Sequence, residues 1–152
     1  MKTLQTIAIS MFIVFSGTTA ATAQENEVAA IRALLEPVAT SMQAGDMAAL
    51  DAVYAPGGGV HIIEGTGVNH GWIDYRDNHL GPELAAFENF TIRYFAIEPQ
   101  VRGDVAYSAF RYELSADMNG EHIEIEGRGT AILERMAGQW KIVHTHTSGR
   151  RK

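Results

Sequence analysis

Six histidines, His61, His70, His79, His122, His144 and His146, carry most of the chemistry this chain offers. His144 and His146 stand two apart in a β-type run, and side chains at i and i+2 of a strand share one face. Two neutral imidazoles placed that way hold one metal ion or one polar ligand between them. His79, late in a predicted helix, and His61, on a predicted strand, are the natural further partners. Three imidazoles around an open coordination position would bind zinc or copper and polarise a water. The candidate metal set is therefore His79, His144 and His146, with His61 as a possible fourth ligand. The same imidazoles serve equally well as polar groups of an organic pocket or as structural hydrogen-bonding residues. His70 and His122 read as loop or surface residues.

Asp74, Glu83 and Glu113 are the candidate general bases, a role that needs an apolar pocket to raise a carboxyl pKa. Tyr75, Tyr94, Tyr107 and Tyr112 offer hydroxyl donors to a ligand oxygen, although core packing accounts for tyrosines at such positions too. The chain has no cysteine, which excludes disulfides, thiol chemistry and thiolate metal sites. No Ser-His-Asp string, glycine-rich phosphate loop or paired catalytic carboxylate motif is present. With 12 Lys and Arg against 18 Asp and Glu, and no basic stripe, nucleic acid is not an expected partner.

These groups must be positioned by elements legible from spacing. Val28, Ile31, Leu35, Val38 and Met42 mark one face of a helix over Asn26–Gln43, with Pro37 expected to kink it. Gly45 closes that helix, and Asp46 caps a second, which stops at Pro56-Gly57-Gly58-Gly59. Val60–Glu64 reads as a short strand and Gly65-Thr66-Gly67 as the turn after it. A third helix covers Trp72–Leu80 and is expected to break at Gly81-Pro82, with Pro82 opening a further short turn through Phe87. From Phe90 onward the runs are β-type: Phe90–Ile97, Val105–Ser115, Glu121–Glu134 and Gln139–Ser148, separated by turn residues. Helices followed by a four-strand antiparallel meander make an α+β domain.

Ahead of it, Met1-Lys2-Thr3, the apolar run Leu4–Phe15 and the small residues Ala21-Thr22-Ala23 have the form of a secretory signal peptide, with cleavage expected after Ala23. The run is too short for a membrane anchor. Residues 24–152 then form one domain of periplasmic or secreted location, with no anchor after cleavage.

The face carrying His144 and His146 is contested by their own hairpin. A three-residue loop at Met136-Ala137-Gly138 would set Arg135 opposite Gln139, Thr130 opposite His144 and Arg128 opposite His146. Trp140 and Ile142 then share the histidine face and favour histidines inward, whereas Ile123, Ile125, Ala131 and Leu133 on the partner strand favour them outward. A bulge near Gly127 or Gly129 would switch the alternation midway.

The run Gly129-Thr130-Ala131-Ile132-Leu133-Glu134-Arg135 followed by Gly138-Gln139-Trp140-Lys141-Ile142-Val143-His144-Thr145-His146-Thr147-Ser148-Gly149 resembles the last hairpin of the SnoaL-like branch of the nuclear transport factor 2-like superfamily. It is especially similar to the association domain of calcium/calmodulin-dependent kinase II, and Gly45-Asp46 and Gly103-Asp104 also fit. The resemblance covers about Glu27 to Gly149. It implies a cone-shaped half-barrel, with N-terminal helices packed in a curved, mainly antiparallel sheet, an open cavity at the wide end, and a homodimer. The superfamily holds isomerases, cyclases, dehydratases and non-catalytic assembly domains, so membership does not choose a function. The pocket arginines of the kinase domain fall near Ala131 and Thr147 here, which removes its cationic lining; Arg111 or Arg128 is the candidate replacement. The expected occupant is a small organic ligand, met by His61, His79, Tyr112, Arg128, His144 and His146, with no cofactor demanded by any motif.

Overall fold

Helix α1 (Gly17–Ala44) buries Ile31, Leu35, Val38 and Met42, the stripe expected from their spacing. The computed structural model describes residues 17–152, and side chains from residue 21 onward. The apolar run of the expected signal peptide, Leu4–Phe15, lies outside the described residues. No described helix is long and apolar enough to cross a membrane. At the end of α1, Gly45 turns the chain, and the Asp46 carboxylate accepts from the Ala49 amide at 3.0 Å to cap α2 (Met47–Val53).

Strands β1 (His61–Glu64) and β2 (Gly67–His70) form a short hairpin. β2 goes beyond the sequence reading, which saw only a turn there, because four residues are too few to show a period. The third helical stretch does not break at Gly81-Pro82. Helix α3 (Trp72–Tyr75) passes through a π-helical turn (Arg76–Leu80) directly into α4 (Gly81–Ala86). Pro82 has no N–H, and its ring crowds the carbonyl one turn back; the wider π turn makes room for it. Gly81 is required at the join, since a Cβ there would lie 2.8 Å from the Arg76 carbonyl oxygen.

Strands β3 (Glu88–Arg102), β4 (Val105–Met118), β5 (Glu121–Met136) and β6 (Gln139–Arg151) form the expected antiparallel meander. β1 joins it parallel to β6, giving a six-stranded mixed sheet in the order β2-β1-β6-β5-β4-β3. The sheet curves without closing around the helices, the cone-shaped half-barrel of an α+β fold. α1 covers the edge strand β3: Gln24 and Arg32 donate to the carbonyls of Val101 and Ile97, and the Gln43 side chain accepts from the Ile92 amide. An edge satisfied this way is not open to a second strand.

The β5–β6 hairpin resolves the conflict over faces. Its turn has two residues, not three: Met136 pairs with Gln139, and Ala137 and Gly138 both adopt positive φ, 48° and 82°. That is the primed turn whose twist matches the strands. That turn alone would set Thr130 opposite Thr145, but a bulge moves the register by one, so Thr130 opposes His146 and Ile132 opposes His144. The register shifts once, between Leu133↔Ile142 and Ile132↔His144, leaving Val143 as the bulged residue, while pairing is regular past Gly127 and Gly129. The extra residue reverses the alternation. Trp140 and Ile142 face the core; after the bulge Thr145 and Thr147 take the inner face, and His144 and His146 the outer one.

Candidate functional site

The inner face and the helices border a partly open apolar cavity of about 50 Å³. Its walls are aliphatic side chains of α1, α4, β3 and β4 together with the rings of Tyr75, Phe87, Phe90, Tyr94 and Tyr112. Polar groups gather on one side: Glu64 at the end of β1, Glu83 on α4, and Thr147 on β6, which pairs with Glu64.

Tyr75 is buried and donates its hydroxyl to Glu64 Oε2 at 2.9 Å. The π turn brings His79 beside both carboxylates, with Nε2 3.3 Å from Glu83 Oε1 and 3.9 Å from Glu64 Oε2. The other imidazole nitrogen, Nδ1, lies 2.8 Å from Asn69 Oδ1. The amide nitrogen of Asn69 donates to Asp74 Oδ2 at 3.0 Å. An ionised carboxylate only accepts, so Asp74 fixes the amide orientation, presents Oδ1 to the imidazole and puts the proton on Nδ1. Nε2 is left to face the two carboxylates. Asp74 is kept below its ordinary pKa by the hydrogen bonds from Asn78 and Asn69, which keeps this chain of contacts in one direction.

Glu83 is shifted the other way: burial, then the nearby Glu64 charge, raise its pKa, against the opposing pull of His79. Burial raises Tyr75, Tyr94 and Tyr112, so these phenols stay protonated as donors. The segment bearing His79 is anchored from below. Trp72 stacks on Tyr54 with centroids 4.1 Å apart and donates to Asp51 at 2.6 Å, and Arg76 pairs with the same carboxylate at 2.9 Å.

Among the residues expected from sequence, Tyr75, Glu83, Tyr94 and Tyr112 line the cavity, and His79 stands beside its carboxylates. His144 and His146 point to the opposite side of the sheet from His79, so that trio does not meet around one ion. His61 and His144 border an open depression of about 480 Å³ on the outer face, where the His61 ring also lies against His70 at 5.0 Å. His146 and Arg128 lie in another outer depression with Arg111. Among the three carboxylates expected as general bases, Glu83 lines the cavity, Asp74 orients Asn69, and Glu113 pairs with Arg93 on the surface at 2.7 Å. Tyr107 is exposed on the outer face. Glu64 and Asn69 were missed by sequence reasoning, having no signal there beyond the end of a short strand and a polar turn.

In place of the histidine trio, one ligand atom each from Glu64, His79 and Glu83 lies within 4.8 Å of the others, the one group among the described residues able to hold a metal ion. Chemically, an oriented imidazole between two carboxylates beside an apolar cavity can bind a polar head group and relay a proton.

A curved, open sheet around α1 with a cavity at one end is the nuclear transport factor 2-like fold. Residues 31–150 match the model of the SnoaL-like domain, and the chain belongs to that family. Among solved structures, a nuclear transport factor 2-like superfamily protein from Salmonella enterica serovar Typhimurium is 22% identical with a TM-score of 0.72, covering 88% of this chain and 94% of that one. A candidate ketosteroid isomerase from Shewanella frigidimarina is 27% identical, TM-score 0.62, over 83% of this chain and 94% of its own. A candidate dehydratase from Streptomyces avermitilis is 15% identical, TM-score 0.72, over 83% and 97%. Among proteins of curated function, none matches this sequence.

Proposed function

We propose that this is an exported SnoaL-like protein that binds a small organic ligand in its cone cavity and exchanges a proton with it through the His79–Glu83 pair. The observation that carries the reading is the aim of His79: its Nδ1 is committed to Asn69, and Nε2 faces Glu83 and Glu64 at the polar side of the apolar cavity. The candidate isomerase and candidate dehydratase among the structural neighbours are of classes in which an acid–base pair beside an apolar pocket suffices. Export rests on the leader-like N-terminus, with Gln24 and Glu27, just beyond the expected cleavage point, already docked on Val101, Trp140 and Arg135. The outer sheet face, with Val105 and Tyr107 exposed, is the surface through which a homodimer would form.

Native mass spectrometry of the tag-free chain recovered from the periplasm tests export, ligand binding and dimer formation. The expected result is a dimer of chains beginning at Gln24 that carries a small organic mass, lost in a Leu84→Trp variant that fills the cavity. A chain with no retained mass, and no cavity resonance moved by any member of a fragment set, would remove the ligand reading.

A second reading is favoured by the Glu64, His79 and Glu83 cluster, which suits a divalent ion such as zinc. It predicts about one metal per chain after reconstitution and dialysis, abolished in Glu64→Gln. A stoichiometry near zero discards it.

A further inference from the structure

Resting on the ligand-binding reading of this cavity, we infer that its occupant is a cation, a small organic ammonium whose N–H groups are received by Glu64 and Glu83. Three independent features converge on that class. First, among the cavity-lining residues there are two carboxylates and no lysine or arginine, so among the described residues the nearby group able to carry positive charge is His79. With both carboxyls ionised, one imidazolium leaves the site a net charge of −1, and a neutral imidazole leaves −2. A carboxylate or phosphate ligand would enter against that charge with no lysine or arginine to pair with.

Second, each carboxylate keeps one oxygen in reserve. Glu64 Oε2 receives Tyr75, and Glu83 Oε1 lies against His79, while Glu64 Oε1 and Glu83 Oε2, on side chains 39% and 41% exposed, have no protein partner among the described residues and stand open at the cavity mouth. Those oxygens accept and cannot donate, so a ligand rich in N–H groups completes them, whereas an ether or ketone oxygen does not. The raised pKa of Glu83, caused by burial and by Glu64, reflects the same shortage of positive charge.

Third, the remaining wall suits an alkylammonium. Five aromatic rings line the cavity, and the negative π faces of tyrosine and phenylalanine attract a partly desolvated cation. Size sets what the cavity itself takes in. With about 12 Å³ needed for each water-sized group, 50 Å³ holds roughly four heavy atoms, a head group such as isopropylammonium, while any larger remainder extends through the open side.

The test is a matched set of three probes at near-constant size, isopropylamine, isopropanol and propionate. Each is titrated at millimolar concentration into the tag-free chain at neutral pH with a chelator present, and followed by the amide resonances of Glu64, Tyr94 and Tyr112. The expected result is that the amine binds at least ten-fold more tightly than the alcohol, that propionate does not bind, and that the amine-to-alcohol ratio falls close to one in Glu64→Gln/Glu83→Gln. Glu83→Gln alone, which leaves the Tyr75–Glu64 bond in place, is expected to lose part of the preference and stands in if the double variant does not fold. Alcohol or propionate binding as well as the amine would overturn the cationic assignment while leaving the cavity as a ligand site. Silence of all three probes at those resonances would overturn both.

Discussion

Tyr94 in the cavity wall stacks on Phe110, whose place depends on a glycine, and replacing that glycine gives a sharp prediction. Gly129 on β5 lies beneath the Phe110 ring of β4, its cross-strand partner; a Cβ at Gly129 would stand 2.1 Å from Phe110 Cζ, with Cε2 and Cε1 at 2.5 and 2.7 Å. Ordinary contact starts at 3.4 Å, so the ring must retreat by about 1.3 Å. Its retreat is blocked, because Tyr94 stacks on Phe110 at 4.5 Å and Phe110 is only 4% exposed. Overpacking of this kind costs about 1–3 kcal/mol, and the blocked retreat places Gly129→Ala at about 2–3. For a domain of this size that lowers Tm by roughly 6–15 °C. In a Phe110→Leu background the obstacle is gone, and alanine restricts the unfolded chain more than glycine does, so the same change becomes neutral or gains about 0.4–1 kcal/mol. The coupling in a double-mutant cycle is then at least ~2 kcal/mol. Urea unfolding followed by the fluorescence of Trp72 and Trp140 measures each corner of the cycle. Gly127→Ala is the control: its Cβ meets the Tyr112 ring at 2.3 Å but also the Ser148 carbonyl oxygen at 2.5 Å, and backbone cannot be trimmed. Tyr112→Leu should therefore fail to rescue it. A Gly129→Ala protein within about 0.5 kcal/mol of the parent, a difference of ordinary surface size, or a penalty unchanged by Phe110→Leu, would refute the reasoning.

Three further outcomes are expected. Ala137→Asn should stabilise the domain by up to about 1 kcal/mol, measured by thermal melting, because alanine holds φ 48° in the primed turn, where asparagine is favoured. Asp51→Ala should cost about 1–2 kcal/mol in urea unfolding, since Trp72 and Arg76 both lose the acceptor that anchors α3. Glu83 binds its proton more tightly folded than unfolded, so its contribution is present below the ordinary carboxylate range and is lost as pH rises through its raised folded value. The stability of the parent relative to Glu83→Gln should therefore fall with increasing pH above about 4.5, and a flat or rising difference would contradict the burial of that carboxyl.

Fold class was legible because it rests on periodicity and turn chemistry, which are local. The stripe on α1, the Gly45 stop and the Asp46 cap needed no distant partner to be recognised. The last hairpin shows where local reading stops. One bulged residue, Val143, reverses every side chain beyond it, and the bulge exists because the Ala137-Gly138 turn and the burial of both Ile142 and Thr145 must be satisfied together. The histidine pair, the strongest chemical signal in the sequence, was thereby placed on the outer face.

The candidate site was decided by tertiary structure for a related reason. Asn69 and Glu64 look like solvated residues at a turn, since their significance lies in contacts with Asp74, Tyr75 and His79, which depend on pairing β1 with β6 and on the π turn that carries α3 into α4. Proline at 82 hinted at irregularity, but a π turn differs from a helix end only in where Gly81 finds its acceptor, Arg76. What the sequence determined by itself was the order of helices and strands, the family resemblance and His79 and Glu83 as residues capable of chemistry. Only the three-dimensional arrangement decided which face each residue serves, because a one-residue change of register costs little locally and is fixed only by what the whole sheet must bury.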